Sequence, residues 1–183
     1  FISLSGFTGI LAGIYALIGA VAAYYLIISH KNNDSPLSLI PLNYFELILV
    51  AIAVTVLLFS IISAYILTRK KAKKNNENVW NNQSKRLLVN FLIPLFAGGF
   101  FCIALYQYNL IGLIAPASLI FYGLACINAS KYTLGDIFYL GISNLIIGLI
   151  STQYIGYGLY FWALGFGIFH IIYGTVMYKK YDK

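Results

Sequence analysis

The sequence predicts an all-α, polytopic membrane protein of six transmembrane helices with both termini in the cytoplasm. Three observations predict it. First, 61% of the 183 residues are hydrophobic, 9% are charged, and mean hydropathy is +0.83. A soluble domain carries about 25% charged residues. A soluble core of this size cannot hide so much apolar surface, so lipid is the solvent for most of it. Second, the apolar residues fall into six runs, each long enough to read as a membrane helix. Third, residues 69–86, RKKAKKNNENVWNNQSKR, hold seven of the twelve Lys and Arg residues and a single acid, Glu77.

That basic stretch sets the orientation. If it is cytoplasmic, alternation places Lys131, Lys179, Lys180 and Lys183 on the same side and leaves Lys31 alone outside. The count is eleven basic residues inside against one outside, the asymmetry that orients helices in a bilayer. The net charge of +7 is therefore loop charge facing lipid headgroups, and no nucleic-acid partner is expected.

The first helix is predicted over residues 5–29. Ser5, Gly9, Gly13, Ala16 and Ala20 recur at spacings of four, four, three and four, so they share a face. In lipid, small faces let helix backbones approach closely. The stripe is read as an internal helix contact in preference to a homodimer seam, since six helices offer many partners. Tyr24 and Tyr25 sit where an aromatic belt belongs. The run is too long, and its start too poor in charge, for a signal peptide. The chain begins at Phe1 and not at Met, so the natural start is expected to be missing.

Asp34, Pro36 and Pro41 break the loop over residues 30–43. The second helix is predicted over residues 44–68, with Glu46 in its first turn, where the helix dipole favours an acid. Residues 69–86 form a mobile Asn-rich loop in this reading, with Trp80 as an interfacial anchor. The third helix, 87–106, carries Pro94 and Gly98-Gly99 and is expected to kink. The fourth, 110–128, carries Pro116. The fifth, 134–152, has Asp136 in its first turn and Asn144 near its centre. The sixth, 157–178, carries Tyr157, Tyr160, Trp162, His170 and Tyr173 among glycines. A shift of 46 residues lays 87–132 over 133–178 with seven identities, Gln107-Tyr108 falling on Gln153-Tyr154. Such a repeat implies two parallel hairpins, each turning through a Gln-Tyr pair.

The chemistry available to such a chain is limited. No Lys, Arg, Asp or Glu lies at mid-depth, which argues against an ion-coupled pump. Cys102 and Cys126 stand in apolar runs and read as small hydrophobes. His30 and His170 lie at different depths and cannot clamp one haem. No zinc-protease, nucleotide-binding or nucleophile-elbow motif is present, so no cofactor, no metal and no enzymatic activity are expected. The best candidate site is uncharged: His170 on helix six, Tyr122 on helix four and Asn144 on helix five, walled by Tyr160, Trp162 and Tyr173. The competing reading is structural, with the same side chains bonding helix to helix. Either way the two ring nitrogens of His170 need partners, because lipid supplies none.

The opening, FISLSGFTGILAGIYALIGA over residues 1–20, resembles the start of small, uncharacterised membrane proteins of Bacteroidetes-type bacteria. In those relatives a short charged helical segment precedes this stretch. The resemblance implies a bacterial inner membrane, and hence no glycosylation of the Asn33-Asp34-Ser35 sequence. It carries no activity over. Two function classes follow from the residues. One is a non-enzymatic module, a sensor or accessory subunit that binds a partner protein, a second copy or an apolar ligand. The other is a small permease or channel for an uncharged solute.

Overall fold

The computed structural model of the chain describes residues 6–74, 80–133 and 135–181. Ser5, Glu77, Leu134 and Lys183, used in the sequence reading above, lie outside the described residues. Among the described residues every regular element is helical. We label them α1 (Gly6–Lys31), α2 (Leu42–Lys74), α3 (Asn82–Gln107), α4 (Ile114–Ala129), α5 (Ile137–Ser151) and α6 (Gly158–Tyr181). Short 3₁₀ turns, Ile111–Leu113 and Ser130–Tyr132, flank α4. Among the described residues five spans are long and apolar enough to cross a membrane: α1, α2, α3, the span Ile111–Tyr132 that contains α4, and α6. The sixth apolar helix, α5, has 15 residues. At 1.5 Å per residue it is about 22 Å long, short of a hydrocarbon core of about 30 Å.

Several boundaries move from their expected places. Helix α2 runs on to Lys74 and α3 begins at Asn82, so much of the basic stretch is helical and not loop. Lys71, Lys73 and Lys74 stand in the last turn of α2, where the dipole favours cations. Asn81 caps α3: its Oδ1 accepts from the Ser84 N–H at 2.7 Å. Because α2 starts at Leu42, Glu46 falls in its second turn, not its first. Asp136 is the N-cap of α5 but makes no capping bond. Its carboxylate accepts instead from Lys180 Nζ at 3.0 Å and from Tyr181 Oη at 2.9 Å.

Consecutive helices run antiparallel, as named contacts show. Tyr15 Oη meets Ser63 Oγ at 3.2 Å, and His30 stacks on Phe45 with ring centres 4.0 Å apart, which pairs α1 with α2. Asn128 Nδ2 donates to the Asn90 carbonyl at 2.9 Å, which ties α4 to α3. In space the order is α2, α1, α6, then α4 with α5, then α3. Helix α2 packs chiefly on α1, and α3 chiefly on α4. The flanking pair is therefore the least covered.

Glycine makes both central seams. A methyl added at Gly13 would sit 2.6 Å from the Gly167 carbonyl oxygen, and one at Gly9 would sit 3.0 Å from Gly174 Cα. The stripe of α1 thus faces α6 of the same chain; Ala16 and Ala20 are buried with it. Between α4 and α5, a methyl at Gly123 would lie 2.7 Å from the Gly141 oxygen. Each seam brings backbone against backbone, and dispersion then replaces the hydrophobic effect that lipid withholds.

The alternation gathers charge at one end. Gly6 lies against Tyr178, and Gln83 donates to the Tyr132 carbonyl. The basic tail of α2, the start of α3, Lys131 and the end of α6 therefore share one end of the bundle. The other end holds Lys31, the 36–39 turn and both Gln-Tyr turns. These two turns lie side by side, Gly112 meeting Ile155 and Gly158 meeting Ala115. Tyr24, Tyr25, Tyr44, Tyr108, Tyr154 and Tyr157 are all exposed at this end, the distribution of an interfacial belt.

Candidate functional site

The centre of α6 is not a regular α-helix. Residues Ala163–Ile168 form a π turn, a local widening by one residue that recurs at functional sites. Here the sequence ALGFGI supplies two poor helix formers, Gly165 and Gly167, in three positions. They are wedged on opposite sides. A methyl at Gly165 would lie 2.6 Å from Asn144 Oδ1, while one at Gly167 would strike Leu17 of α1.

The π turn shifts the backbone ladder. The Phe169 N–H donates to the Leu164 carbonyl, five residues back. The Gly165 carbonyl, its ordinary α-helical acceptor, is released. In hydrocarbon no water is available to such a group. His170 takes it: Nδ1 lies 2.9 Å from the Gly165 oxygen. A carbonyl only accepts, so Nδ1 carries the proton and Nε2 is left as an acceptor. Tyr122 Oη stands 2.6 Å from Nε2 and donates to it. The result is a relay, Tyr122 O–H to His170 to Gly165 C=O, that joins α4 to the interrupted part of α6. The imidazole is 7% exposed, and both nitrogens are engaged.

Aromatic rings cover the relay. Phe166 lies 5.0 Å from Tyr122 and 6.0 Å from His170, centre to centre, and Trp162 lies 5.1 Å from Phe166. Phe91 of α3 meets Tyr122 edge-on at 6.0 Å. Tyr173 packs lower down, against the buried cluster of Cys126, Ile137 and Leu140.

Of the residues singled out in the sequence, Tyr122 and His170 are bonded directly. Trp162 reaches them through Phe166, and Tyr173 is one turn away. Asn144 is adjacent but does not join the relay. It is fully buried, its Nδ2 donates to the Leu140 carbonyl at 3.0 Å, and its Oδ1 has no hydrogen-bond partner. Tyr160 stands apart, 57% exposed and edge-on to Tyr24 in the aromatic belt. Sequence reasoning missed Phe166 and the Gly165 carbonyl. Phe166 was findable, since it stands four residues before His170 and so shares its helix face. The π turn left only the Gly-x-Gly signal. Among the described residues, no three His, Cys, Asp or Glu side chains come close enough to hold a metal ion.

No family model, curated protein or solved structure matches the chain.

Proposed function

We propose that the chain is a six-pass inner-membrane protein, with both termini and the 69–86 segment in the cytoplasm. We propose further that it is a non-enzymatic module binding a partner protein or an apolar ligand. The orientation is supported by the gathering of basic residues at one end of the bundle. The bacterial inner membrane is supported by the resemblance of residues 1–20.

The observation that carries the binding reading is α2. It is 33 residues long, and the most apolar 18-residue window within it has no buried residue, against 28% for the corresponding window of α1. Val50, Val54, Leu57, Leu58, Ile61 and Tyr65 are exposed along it. A helix this apolar and this uncovered offers a long lateral face to another membrane-embedded group. The test is a photo-crosslinking residue at Leu57, compared with one at Ile146 of α5, in native membranes. A discrete adduct from Leu57 and none from Ile146 is expected. Lipid adducts alone from both positions refute the partner reading.

A permease for an uncharged solute is the second reading. Asn144 Oδ1 and Ser151 Oγ favour it, both buried on α5 and both without a partner. Cysteines placed at these two positions are expected to react with a small membrane-permeant thiol reagent only if solute and water pass beside α5.

A further inference from the structure

Helix α5 is the short member of the bundle, and polar groups fix both of its ends. At the basic end its N-cap residue, Asp136, pairs with Lys180 at 3.0 Å and accepts from Tyr181 Oη at 2.9 Å. At the far end Gln153 Nε2 donates to Thr152 Oγ1 at 3.0 Å, at the surface. From Asp136 to Thr152 the rise is about 24 Å at 1.5 Å per residue. An ordinary hydrocarbon core is about 30 Å thick. We infer that the bilayer is thinned beside α5, and that this face gathers phospholipids of short acyl chain.

The inference rests on the six-pass reading above, in which α5 crosses. Helices α4 and α6 both run toward the basic end, and α5 carries the chain back between them, Gly141 against Gly123 and Gly148 against Ile120 of α4. A helix longer than the core can tilt. A short one gains nothing by tilting, which lessens its projection further. It is matched by thinning the bilayer, by snorkelling of flanking side chains, or by a protein neighbour. Snorkelling fails at the basic end. Asp136 has one methylene to extend, and Lys180, which could reach outward, is bonded to it. The two side chains are 22% and 52% exposed, and the recess beside them, lined by Ser130 and Tyr139, is open. Sinking the pair into hydrocarbon would strip its hydration. The headgroup layer therefore comes down to it.

The face between the two ends suits acyl chains. Ile146, Leu149 and Ile150 are exposed, and no Asp, Glu, Lys or Arg lies in Ile137–Ser151. Helix α2, separated from α5 by α1 and α6, supplies the contrast. It carries no charge from Leu47 to Thr68, a rise of about 33 Å, and fits an ordinary core with a slight tilt.

The test uses the purified full chain in bilayers of equimolar short- and long-chain phosphatidylcholine, whose pure cores are about 24 and 34 Å thick. A fluorescent amino acid is incorporated at Ile146 or, for comparison, at Leu57, both exposed positions. Each lipid is brominated in turn to quench it. The Ile146 label should report short chains about twofold over long, and the Leu57 label no such preference. Equal quenching by the two lipids at Ile146, or the same short-chain preference at Leu57, overturns the inference. So does an Ile146 label that neither lipid quenches, since protein then covers α5. Cysteines at Gly135 and Gln153 check the crossing separately. Both positions are exposed, and nothing lies within 4 Å of a methyl added at Gly135. An impermeant thiol reagent should reach the two from opposite sides of the bilayer. Reaction of both from one side overturns the six-pass reading, and the inference with it. Reaction from opposite sides with equal quenching at Ile146 overturns the thinning alone.

Discussion

Replacing His170 by Leu removes the side chain that serves the carbonyl released in α6. Two groups are stranded: the Gly165 oxygen at 2.9 Å and the Tyr122 hydroxyl at 2.6 Å. A buried group left without its partner costs about 1–3 kcal/mol in soluble proteins. In bilayers the unfolded reference also finds partners, and single interhelical hydrogen bonds average about 0.6 kcal/mol, with a maximum of about 1.7. Two bonds at the average give about 1.2 kcal/mol, and the ceiling for the pair is about 3. Tyr122→Phe strands Nε2 alone and should cost about 1 kcal/mol. The double variant should cost less than the sum, because each change removes the same Tyr–His bond; a coupling of about 0.6–1.7 kcal/mol is expected. His170→Gln keeps a donor and an acceptor and should retain most of the stability. The assay is reversible unfolding in mixed micelles for wild type, both single variants and the double variant. Coupling below about 0.3 kcal/mol, the scatter of independent sites, refutes the relay. Repeating the series with native lipid extract separates the two roles. A structural group gives the same differences with and without the extract. A ligand group loses a lipid-induced stabilisation in both His170→Gln and His170→Leu.

The remaining expectations concern packing, charge and threading. Gly13→Leu should destabilise by about 1–3 kcal/mol through overpacking, since even a methyl there would meet the Gly167 oxygen at 2.6 Å. Gly99→Ala, where nothing lies within 4 Å, should be neutral or stabilise by about 0.5–1 kcal/mol; a tolerated Gly13→Leu sinks the seam. Hydrogen bonding from Lys180 holds the Asp136 carboxyl below the usual carboxylate range. A depressed carboxylate stabilises fully above its unfolded pKa, near 3.9, and the gain disappears as pH falls through the folded value. Wild type should therefore lose a small increment below about pH 4 that Asp136→Asn never has; parallel melting curves for the two over pH 3–7 contradict it. With Cys102 and Cys126 replaced, a cysteine at Asn81 should resist an impermeant thiol reagent in intact cells while one at Asn32 reacts; the reverse pattern overturns the proposed orientation.

The helical fold was legible because its causes are local and strong. Each apolar run is a necessity of burying backbone polar groups in lipid, and glycine spacing on α1 is visible without knowing its partner. The ends were less legible. Helix α2 outlasts its apolar run by a turn and more, because Lys71, Lys73 and Lys74 are good helix formers favourably placed at a C-terminus. Asp136 read as a first-turn acid because sequence shows the dipole and not the distant Lys180 that claims it. Of the candidate cluster, depth alone brought Tyr122 and His170 to the same level, but depth carries no information about rotation. Rotation turns Asn144 to Gly165, and Tyr160, in the first turn of α6, stands in the belt beside Tyr24.

Rotation is also what the π turn governs. One residue inserted in a helix advances everything after it by about 100°. In α6 the turn itself contains the glycine that meets α5 and the first of those that meet α1: Gly165 is set against Asn144, while Gly167 and Gly174 are set against α1. The insertion adjusts the phase of one face against the other: Gly165 packs on the Leu119, Asn144 and Ile147 side chains, while Gly174 meets α1 backbone to backbone. Its cost is one released carbonyl in a medium without water. His170, five residues past Gly165, is placed to serve it, and Tyr122 is then required by the ring's second nitrogen. Each polar group of the relay thus answers a need created by the one before it, and the need begins with packing. That ordering favours a structural role for the relay, and it directs the search for function outward, to the uncovered face of α2.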